Sequence, residues 1–149
     1  MLRIGIIGTG GMAKAHAKAY QAQKDVEIIA CCDILEDRSK GFAEQFKIKT
    51  WYTDYKKMLK TEKLDGISIA STDATHAEIS TEALKHKVAV LCEKPMAVTV
   101  AEAQKMIAAS KKAKVINMIN FSKRNPSAVP YAKQSIDSRK LAHVLHPDA

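Results

Sequence analysis

A glycine-containing turn near the amino terminus is the first feature of this sequence that could bind a ligand. The run Gly-Thr-Gly-Gly-Met-Ala directly follows an apolar segment at residues 2–7. Gly8 allows a tight turn, Gly10 lets the backbone approach a pyrophosphate, and Ala13 lets a following helix pack closely on a sheet. The amides at the start of that helix would face the phosphates. The pattern predicts dinucleotide contacts at Gly8, Thr9, Gly10, Gly11 and Met12, although tight strand-to-helix turns need glycine in any case.

An aspartate at the end of the second apolar segment could bind the ribose of the same ligand. Asp33 lies 20 residues after Ala13. A carboxylate there can accept hydrogen bonds from the adenosine ribose hydroxyls, and it repels a 2′-phosphate, so it favours NAD. A helix cap is the alternative role, and the two can coexist. Arg38 could stack on adenine or pair with a 2′-phosphate, so it keeps NADP open, and a solvated helix arginine is an equally good interpretation.

A third polar group follows the fifth apolar segment as Glu93-Lys94-Pro95. Ligands bind at the carboxyl ends of the strands in open α/β sheets. Pro95 would stiffen the turn and hold the direction of Lys94. A lysine beside a nicotinamide could polarise a substrate oxygen and help to move a proton as hydride transfers. A surface loop with a local ion pair remains the alternative.

The elements that must hold these groups alternate between short apolar runs and segments of helical period. They predict an α/β protein with a doubly wound parallel sheet of about six strands, the Rossmann dinucleotide-binding arrangement. Thr75 with Glu78 and Thr99 with Glu102 fit capping boxes at two helix starts. The predicted strands are 2–7, 26–32, 50–51, 66–70, 88–92 and 115–119, and the predicted helices are 11–24, 36–46, 53–60, 75–85, 100–110 and 131–144.

Composition bounds the classes of function. The chain has 149 residues and a formal net charge of +8, which suits one domain of ordinary size. The charge is concentrated after residue 75 but is not interleaved with aromatic residues, so a nucleic-acid or other polyanion partner is disfavoured. Without a secretory leader or a bilayer-spanning apolar run, we expect a cytoplasmic protein with no membrane partner. The three cysteines are expected to be buried and reduced, and no metal site is expected.

Several stretches together resemble the amino-terminal domain of the Gfo/Idh/MocA oxidoreductases, the glucose–fructose oxidoreductase and inositol dehydrogenase group. The resemblance covers roughly residues 2–137. It rests on the glycine turn, on Asp33 with Arg38, on residues 68–79, on Cys-Glu-Lys-Pro at 92–95 and on the loop 120–126. The family usually has Pro-Asn where this chain has Thr72-Asp73. Asp73 keeps an acceptor and adds negative charge near a diphosphate.

The resemblance implies roles for the matched residues. Ser71, Thr72 and His76 would line the cofactor near its ribose and diphosphate. Glu93 and Lys94 would lie at the nicotinamide, with Lys94 reaching the reacting substrate oxygen, and Arg124 would lie near the nicotinamide end. Without the family, His76 is better interpreted as a solvent-facing residue of a first helical turn, and Arg124 as a basic loop residue.

The resemblance also implies an organisation. We expect an NAD(P)-binding domain at residues 1–125 and a carboxyl-terminal helix and tail at 126–149, ending before the family's substrate domain. Full-length relatives would act on a sugar-like or cyclitol substrate, so this chain alone is expected to bind cofactor with little turnover. A stand-alone dinucleotide-sensing or interaction module is the alternative. Apolar surface left open by a missing domain would favour a homo-oligomer. His143 and His146 are interpreted as tail residues.

Overall fold

Six parallel strands alternate with six helices in the structure, a computed structural model that describes residues 1–122 and 128–138. The strands are β1 (Leu2–Ile7), β2 (Val26–Cys32), β3 (Thr50–Tyr52), β4 (Gly66–Ile69), β5 (Ala89–Glu93) and β6 (Asn117–Asn120). The helices are α1 (Gly11–Gln21), α2 (Glu36–Phe46), α3 (Tyr55–Thr61), α4 (Asp73–Lys85), α5 (Val100–Ala113) and α6 (Ala128–Asp137).

The strand order confirms the doubly wound sheet. The order is β3-β2-β1-β4-β5-β6, and every neighbouring pair is parallel. The chain leaves β1 toward one edge of the sheet and returns beside β1 as β4 to build toward the other. Such a reversal opens a crevice at the carboxyl ends of the two central strands.

Each face of the sheet has its own apolar cluster. Helices α3, α4 and α5 cover one face, where Met58, Leu84 and Ile69 are buried. Helices α1 and α2 cover the other, where Phe42 and Phe46 pack with their ring centroids 4.6 Å apart. Burial on both faces explains why the central strands read as continuous apolar runs rather than as alternating ones.

The starts of α3, α4 and α6 differ by two or three residues from the sequence-based expectation. Thr99 and Glu102 form the predicted capping box of α5. The box predicted at Thr75 is wrong, because α4 already begins at Asp73 and the Thr75 hydroxyl donates to the Thr72 carbonyl at 2.7 Å. The last helix begins at Ala128 rather than at residue 131. Pro130 lies in the first turn of this helix. A proline there loses no hydrogen bond, since the amides of a first turn lack intrahelical partners.

The cysteines are buried and unpaired, as predicted. Burial raises the pKa of the Cys31 and Cys92 thiols to about 11 and that of Cys32 to about 12, with Asp33 adding repulsion at Cys31 and Cys32. Across the described ranges, none of the helices has the length and apolar character needed to cross a bilayer. Over the same ranges, no three His, Cys, Asp or Glu side chains are grouped to hold a metal ion.

Three helices end on a lysine in the left-handed region, where glycine is the usual residue. Lys47, Lys87 and Lys114 have φ values of 55°, 57° and 57°. After α4 the Lys87 amide donates to Leu84 O at 3.0 Å and the Val88 amide to Ala83 O at 3.1 Å, the two bonds of a Schellman motif. The exposed lysine therefore carries a steric cost that glycine would not.

We expect Lys87→Gly to raise the free energy of unfolding by about 0.5–1 kcal/mol, since the left-handed conformation is free of a Cβ clash only for glycine. Urea denaturation measures the change. Lys105→Gly, in the exposed interior of α5, is the matched control and should lower it by about 1 kcal/mol. A loss of stability in both variants would contradict this account of the α4 terminus.

Candidate functional site

The candidate site lies where β1 and β4 end side by side. Gly8 follows β1 and has a φ of 83°, which a side chain rarely allows. A Cβ at Gly8 would lie 2.5 Å from the Ser71 amide nitrogen and 2.6 Å from the Ala70 carbonyl oxygen. The turn after β1 therefore packs directly on the backbone after β4, and only glycine permits that approach.

The next glycine has no such neighbour. A Cβ at Gly10 would meet nothing within 4 Å, and the same holds for Gly11. Gly10 is the N-cap of α1, and no side chain caps the helix. The first amides of a helix have no intrahelical acceptor, so the start of α1 offers donors and the positive end of the helix dipole to an anion.

Asp33 is tied to the glycine turn. Its Oδ2 accepts from the Thr9 amide at 2.9 Å and from the Thr9 hydroxyl at 2.8 Å, and its Oδ1 accepts from the Leu35 amide at 3.1 Å. Partial burial raises the pKa of Asp33, but these hydrogen bonds and the charge of Arg38 outweigh it and hold the pKa below its usual range. The side chain is thus a carboxylate that faces the turn and is only half-buried.

A cavity of about 340 Å³ connects these groups. The glycine turn and Asp33 form one side, and Ser71, Thr72 and Thr75 form the other. Ser71 and Thr75 are linked through their hydroxyl oxygens, 2.7 Å apart. The rim also carries Ile34, Leu35, Arg38, Tyr55 and Glu78.

The far wall of the cavity joins α3 to α4. The Tyr55 hydroxyl donates to Glu78 Oε1 at 2.6 Å, and Lys56 Nζ lies 3.1 Å from the same oxygen. Burial and the bond to Glu78 raise the pKa of Tyr55, while the Tyr55 and Lys56 contacts lower that of Glu78. Ile34, which also lines the cavity, is 86% exposed. The lining therefore combines apolar side chains with a few polar groups, as small-molecule sites do.

A larger recess of about 500 Å³ lies at the opposite edge of the sheet. Its lining mixes Arg3, Lys47 and Lys49 with Glu27 and Glu62. It contacts the amino-terminal ends of the strands, where open α/β sheets do not bind their ligands. The smaller cavity is therefore the candidate site.

The Glu-Lys-Pro turn after β5 separates its two charged residues. Lys94 is exposed, while Glu93 is 6% exposed and points into the protein. Glu93 Oε1 accepts from Asn120 Nδ2 at 2.6 Å and from His16 Nε2 at 2.8 Å, and Oε2 accepts from the Lys94 amide at 3.3 Å. Burial raises the pKa of Glu93, but the hydrogen bonds from Asn120 and His16 lower it by more, so the pKa lies below its usual range.

His16 is the residue that sequence reasoning missed. It lies on α1, 8% exposed, and its Nδ1 is 2.5 Å from Ser68 Oγ on β4. The Ser68-His16-Glu93 connectivity resembles a hydrolase triad, but Ser68 is 0% exposed and cannot reach a substrate. The available signal was a histidine six residues after Gly10, on the helix that opens the site.

His76 is fully buried rather than solvent-facing. Its Nδ1 lies 2.7 Å from the Pro95 carbonyl oxygen and its Nε2 lies 3.2 Å from the Ser71 carbonyl oxygen. It is 0% exposed and is not among the residues that line the cavity. His76 therefore connects the loop after β4 to the turn after β5, and its predicted contact with cofactor stays a prediction.

The predicted site residues thus fall into three groups. Gly8, Thr9, Gly10, Asp33, Arg38, Ser71 and Thr72 line one cavity, whereas Gly11 and Met12 are exposed at the start of α1 and are not among its lining residues. Lys94 is exposed after β5, with Glu93 and His76 buried beneath the turn. Arg124, His143 and His146 lie outside the described residues.

The sequence of this chain matches a known protein family. Residues 2–121 match the model of the GFO_IDH_MocA oxidoreductase family, described as an NAD-binding Rossmann fold. The chain belongs to this family. The matched region contains both the glycine turn and the Glu-Lys-Pro turn, so the resemblance inferred from the sequence is confirmed.

Curated relatives of this Gfo/Idh/MocA chain include sugar and inositol dehydrogenases. Myo-inositol 2-dehydrogenase of Thermotoga maritima is 30% identical over 146 residues, which cover 97% of this chain and 44% of the relative. Glucose-6-phosphate 3-dehydrogenase of Bacillus subtilis is 34% identical over 146 residues, covering 97% and 41%. The chain therefore spans less than half the length of these relatives.

Solved structures agree on the fold. Myo-inositol 2-dehydrogenase from Lactobacillus plantarum superposes with a TM-score of 0.84 at 28% identity, over 95% of this chain and 42% of that one. An oxidoreductase from Agrobacterium radiobacter, solved with NAD+, L-tartaric acid and magnesium, superposes with a TM-score of 0.84 at 28% identity, over 92% and 40%. The family's NAD-binding Rossmann domain is the part that these chains share.

We expect Asp33→Asn to lower the free energy of unfolding by about 1–2 kcal/mol near neutral pH, since the amide replaces a charged acceptor of three hydrogen bonds. The depressed pKa makes the Asp33 contribution present above about pH 4 and lost as the pH falls through the lowered value. The gap between wild type and variant should therefore narrow in acid. Urea denaturation near neutral pH and at about pH 3 tests this.

Asp25→Asn is the matched control. Asp25 is exposed, and its carboxylate makes no hydrogen bond among the described residues. Its substitution should leave the free energy of unfolding nearly unchanged at both pH values. A gap for Asp33→Asn that stays constant with pH would argue against a stabilising carboxylate.

Proposed function

We propose that this chain binds a nicotinamide adenine dinucleotide at the β1–β4 crevice, with NAD preferred over NADP. The uncapped start of α1 beside the open position at Gly10 carries the proposal. A diphosphate there would accept from backbone amides and gain from the helix dipole. The adenosine would lie along the cavity toward Ile34 and Tyr55, with its ribose at Asp33.

The preference for NAD follows from the charge at Asp33. Its carboxylate is held in place by Thr9 and carries a lowered pKa, so it stays negative near neutral pH. A negative charge there accepts ribose hydroxyls and repels a 2′-phosphate. Arg38 lies on the same rim and supplies the opposing attraction. Asp33 prevails in this proposal, since Arg38 is exposed and screened by solvent.

Lys94 is the residue that we assign to the chemistry. A bound nicotinamide supplies the hydride acceptor or donor. The exposed Lys94 ammonium, on the turn that His76 and Glu93 anchor, would polarise the substrate oxygen, and in the reductive direction it would give its proton to the alkoxide that hydride addition forms. In the oxidative direction the neutral amine would take that proton back from the alcohol. By analogy with the relatives, the substrate is a sugar-like or cyclitol alcohol, and Arg124 would lie near the nicotinamide.

We infer that hydride transfer to or from an alcohol needs groups beyond those that the structure describes. The cavity in which we place the adenosine is not lined by any residue of the Glu-Lys-Pro turn. Hydride transfer also requires walls that hold an alcohol against the nicotinamide. The proposed division is a cofactor domain at residues 1–125 with a carboxyl-terminal segment at 126–149, and low turnover by this chain alone.

Gly10→Ala tests the cofactor proposal directly. The added methyl meets no protein atom within 4 Å, so the fold should be retained. The methyl would instead occupy the approach of the diphosphate, and we expect NADH affinity to fall by about tenfold or more, as loss of well-placed backbone contacts does. Isothermal titration with NADH measures it.

Gly41→Ala is the matched control, because a Cβ there also meets nothing within 4 Å and Gly41 lies on α2. It should bind NADH as wild type does. Equal NADH affinity in the two variants would contradict the proposed diphosphate site.

Asp33→Ser with NADPH tests the coenzyme preference. Removing the carboxylate leaves the positive charge of Arg38 on that rim without its neighbouring acid, so we expect the ratio of NADH to NADPH affinity to fall by about tenfold. In the double variant, Asp33→Ser with Arg38→Ala, the gain in NADPH affinity relative to NADH should be absent. An unchanged ratio in the single variant would show that Asp33 does not face the adenosine ribose.

A further inference from the structure

The buried carboxylate of Glu93 connects three elements of the fold. It ends β5, and it receives hydrogen bonds from His16 on α1, from Asn120 on β6 and from the Lys94 amide. His16 in turn contacts Ser68 on β4. The side chains of Glu93, His16, Asn120 and Ser68 come from four different strands and helices, so their arrangement exists only in the assembled fold.

The hydrogen-bond roles along this chain of groups follow from the carboxylate. Glu93 Oε1 can only accept, so His16 Nε2 carries the proton of the 2.8 Å bond. When Nε2 carries the proton of a neutral ring, Nδ1 accepts a hydrogen bond from the Ser68 hydroxyl. The His16 ring is thereby held by hydrogen bonds at both nitrogens. The position of α1 therefore constrains the position of the Glu93 carboxylate.

The turn that carries Lys94 is held from two sides. His16 and Asn120 hold Glu93 below it, and His76 contacts the Pro95 carbonyl oxygen beside it at 2.7 Å. The Lys94 amide donates to Glu93 Oε2, which orients the peptide between the two residues. The backbone of the turn is anchored, and the Lys94 side chain is exposed.

His16 also belongs to the helix that opens the cofactor site. It lies five residues after Gly11, which is about 7.5 Å along the axis of α1 at 1.5 Å per residue. We propose that His16 is a positioning residue that fixes the distance between the diphosphate-binding start of α1 and the Glu-Lys-Pro turn. It acts through Glu93 and contacts neither cofactor nor substrate. The inference rests on the proposed dinucleotide function.

This role separates the two halves of the cofactor. ADP-ribose carries the adenosine, the diphosphate and the second ribose but lacks the nicotinamide. A displaced Glu-Lys-Pro turn should therefore weaken NADH, whose nicotinamide faces the turn, and leave ADP-ribose nearly unaffected. A loss of fold would weaken both ligands equally.

The test measures NADH and ADP-ribose affinities of the whole chain by isothermal titration. We expect His16→Leu to lower NADH affinity by about fivefold to tenfold and ADP-ribose affinity by less than about twofold. His16→Gln places an amide N–H near the position of Nε2 and should restore most of the NADH affinity. Met106→Ala, in the core of α5, is the stability control and should leave the ratio of the two affinities unchanged.

Two results would overturn the proposal. One is an equal loss for both ligands in His16→Leu, and the other is an unchanged ratio. If His16→Leu does not fold, Glu93→Gln replaces it in the same comparison, since an amide NH2 in the place of Oε2 cannot accept the hydrogen bond from the Lys94 amide. A wild-type chain that binds neither ligand would contradict the proposed function itself, and this inference with it.

Discussion

The missing side chain at Gly8 is the constraint on which the site depends. The turn after β1 lies so close to the backbone after β4 that any Cβ would fall within 2.6 Å of Ala70 and Ser71. That contact joins the two halves of the sheet at the point where they diverge. It also directs the chain so that Thr9 faces Asp33 while the next residues expose bare amides at the start of α1. A wider turn would separate these groups and leave no crevice of molecular width.

The first strand-turn-helix unit holds both carboxylates of the site, and it holds them differently. Thr9 binds Asp33 at the half-buried rim, where the carboxylate remains accessible to a ligand. His16, seven residues after Thr9 in the chain, binds Glu93 in the interior. Both pKa values are lowered by hydrogen bonds, but only Asp33 lines the cavity. One acid can thus recognise a ligand while the other supports the turn that carries Lys94.

The family match spans residues 2–121, which include the glycine turn, both carboxylates and Asn120. The sugar and inositol dehydrogenases that match this chain extend beyond it by more than their matched length. The shared part is the one that the family model describes as an NAD-binding Rossmann fold.

Local sequence patterns were sufficient for the order of elements, the glycine turn, the acid at the end of β2 and the capping box at Thr99. Each of these depends on residues a few positions apart, where backbone geometry and hydrophobic period decide the outcome. The tertiary structure alone decided that Glu93 points inward, that His76 is buried and that His16 meets Glu93. Those contacts join residues 77 and 19 positions apart, on elements whose relative placement arises from packing of the whole sheet. Sequence period indicates which face of an element is apolar, but it carries no information on which polar side chains from different strands converge beneath that face.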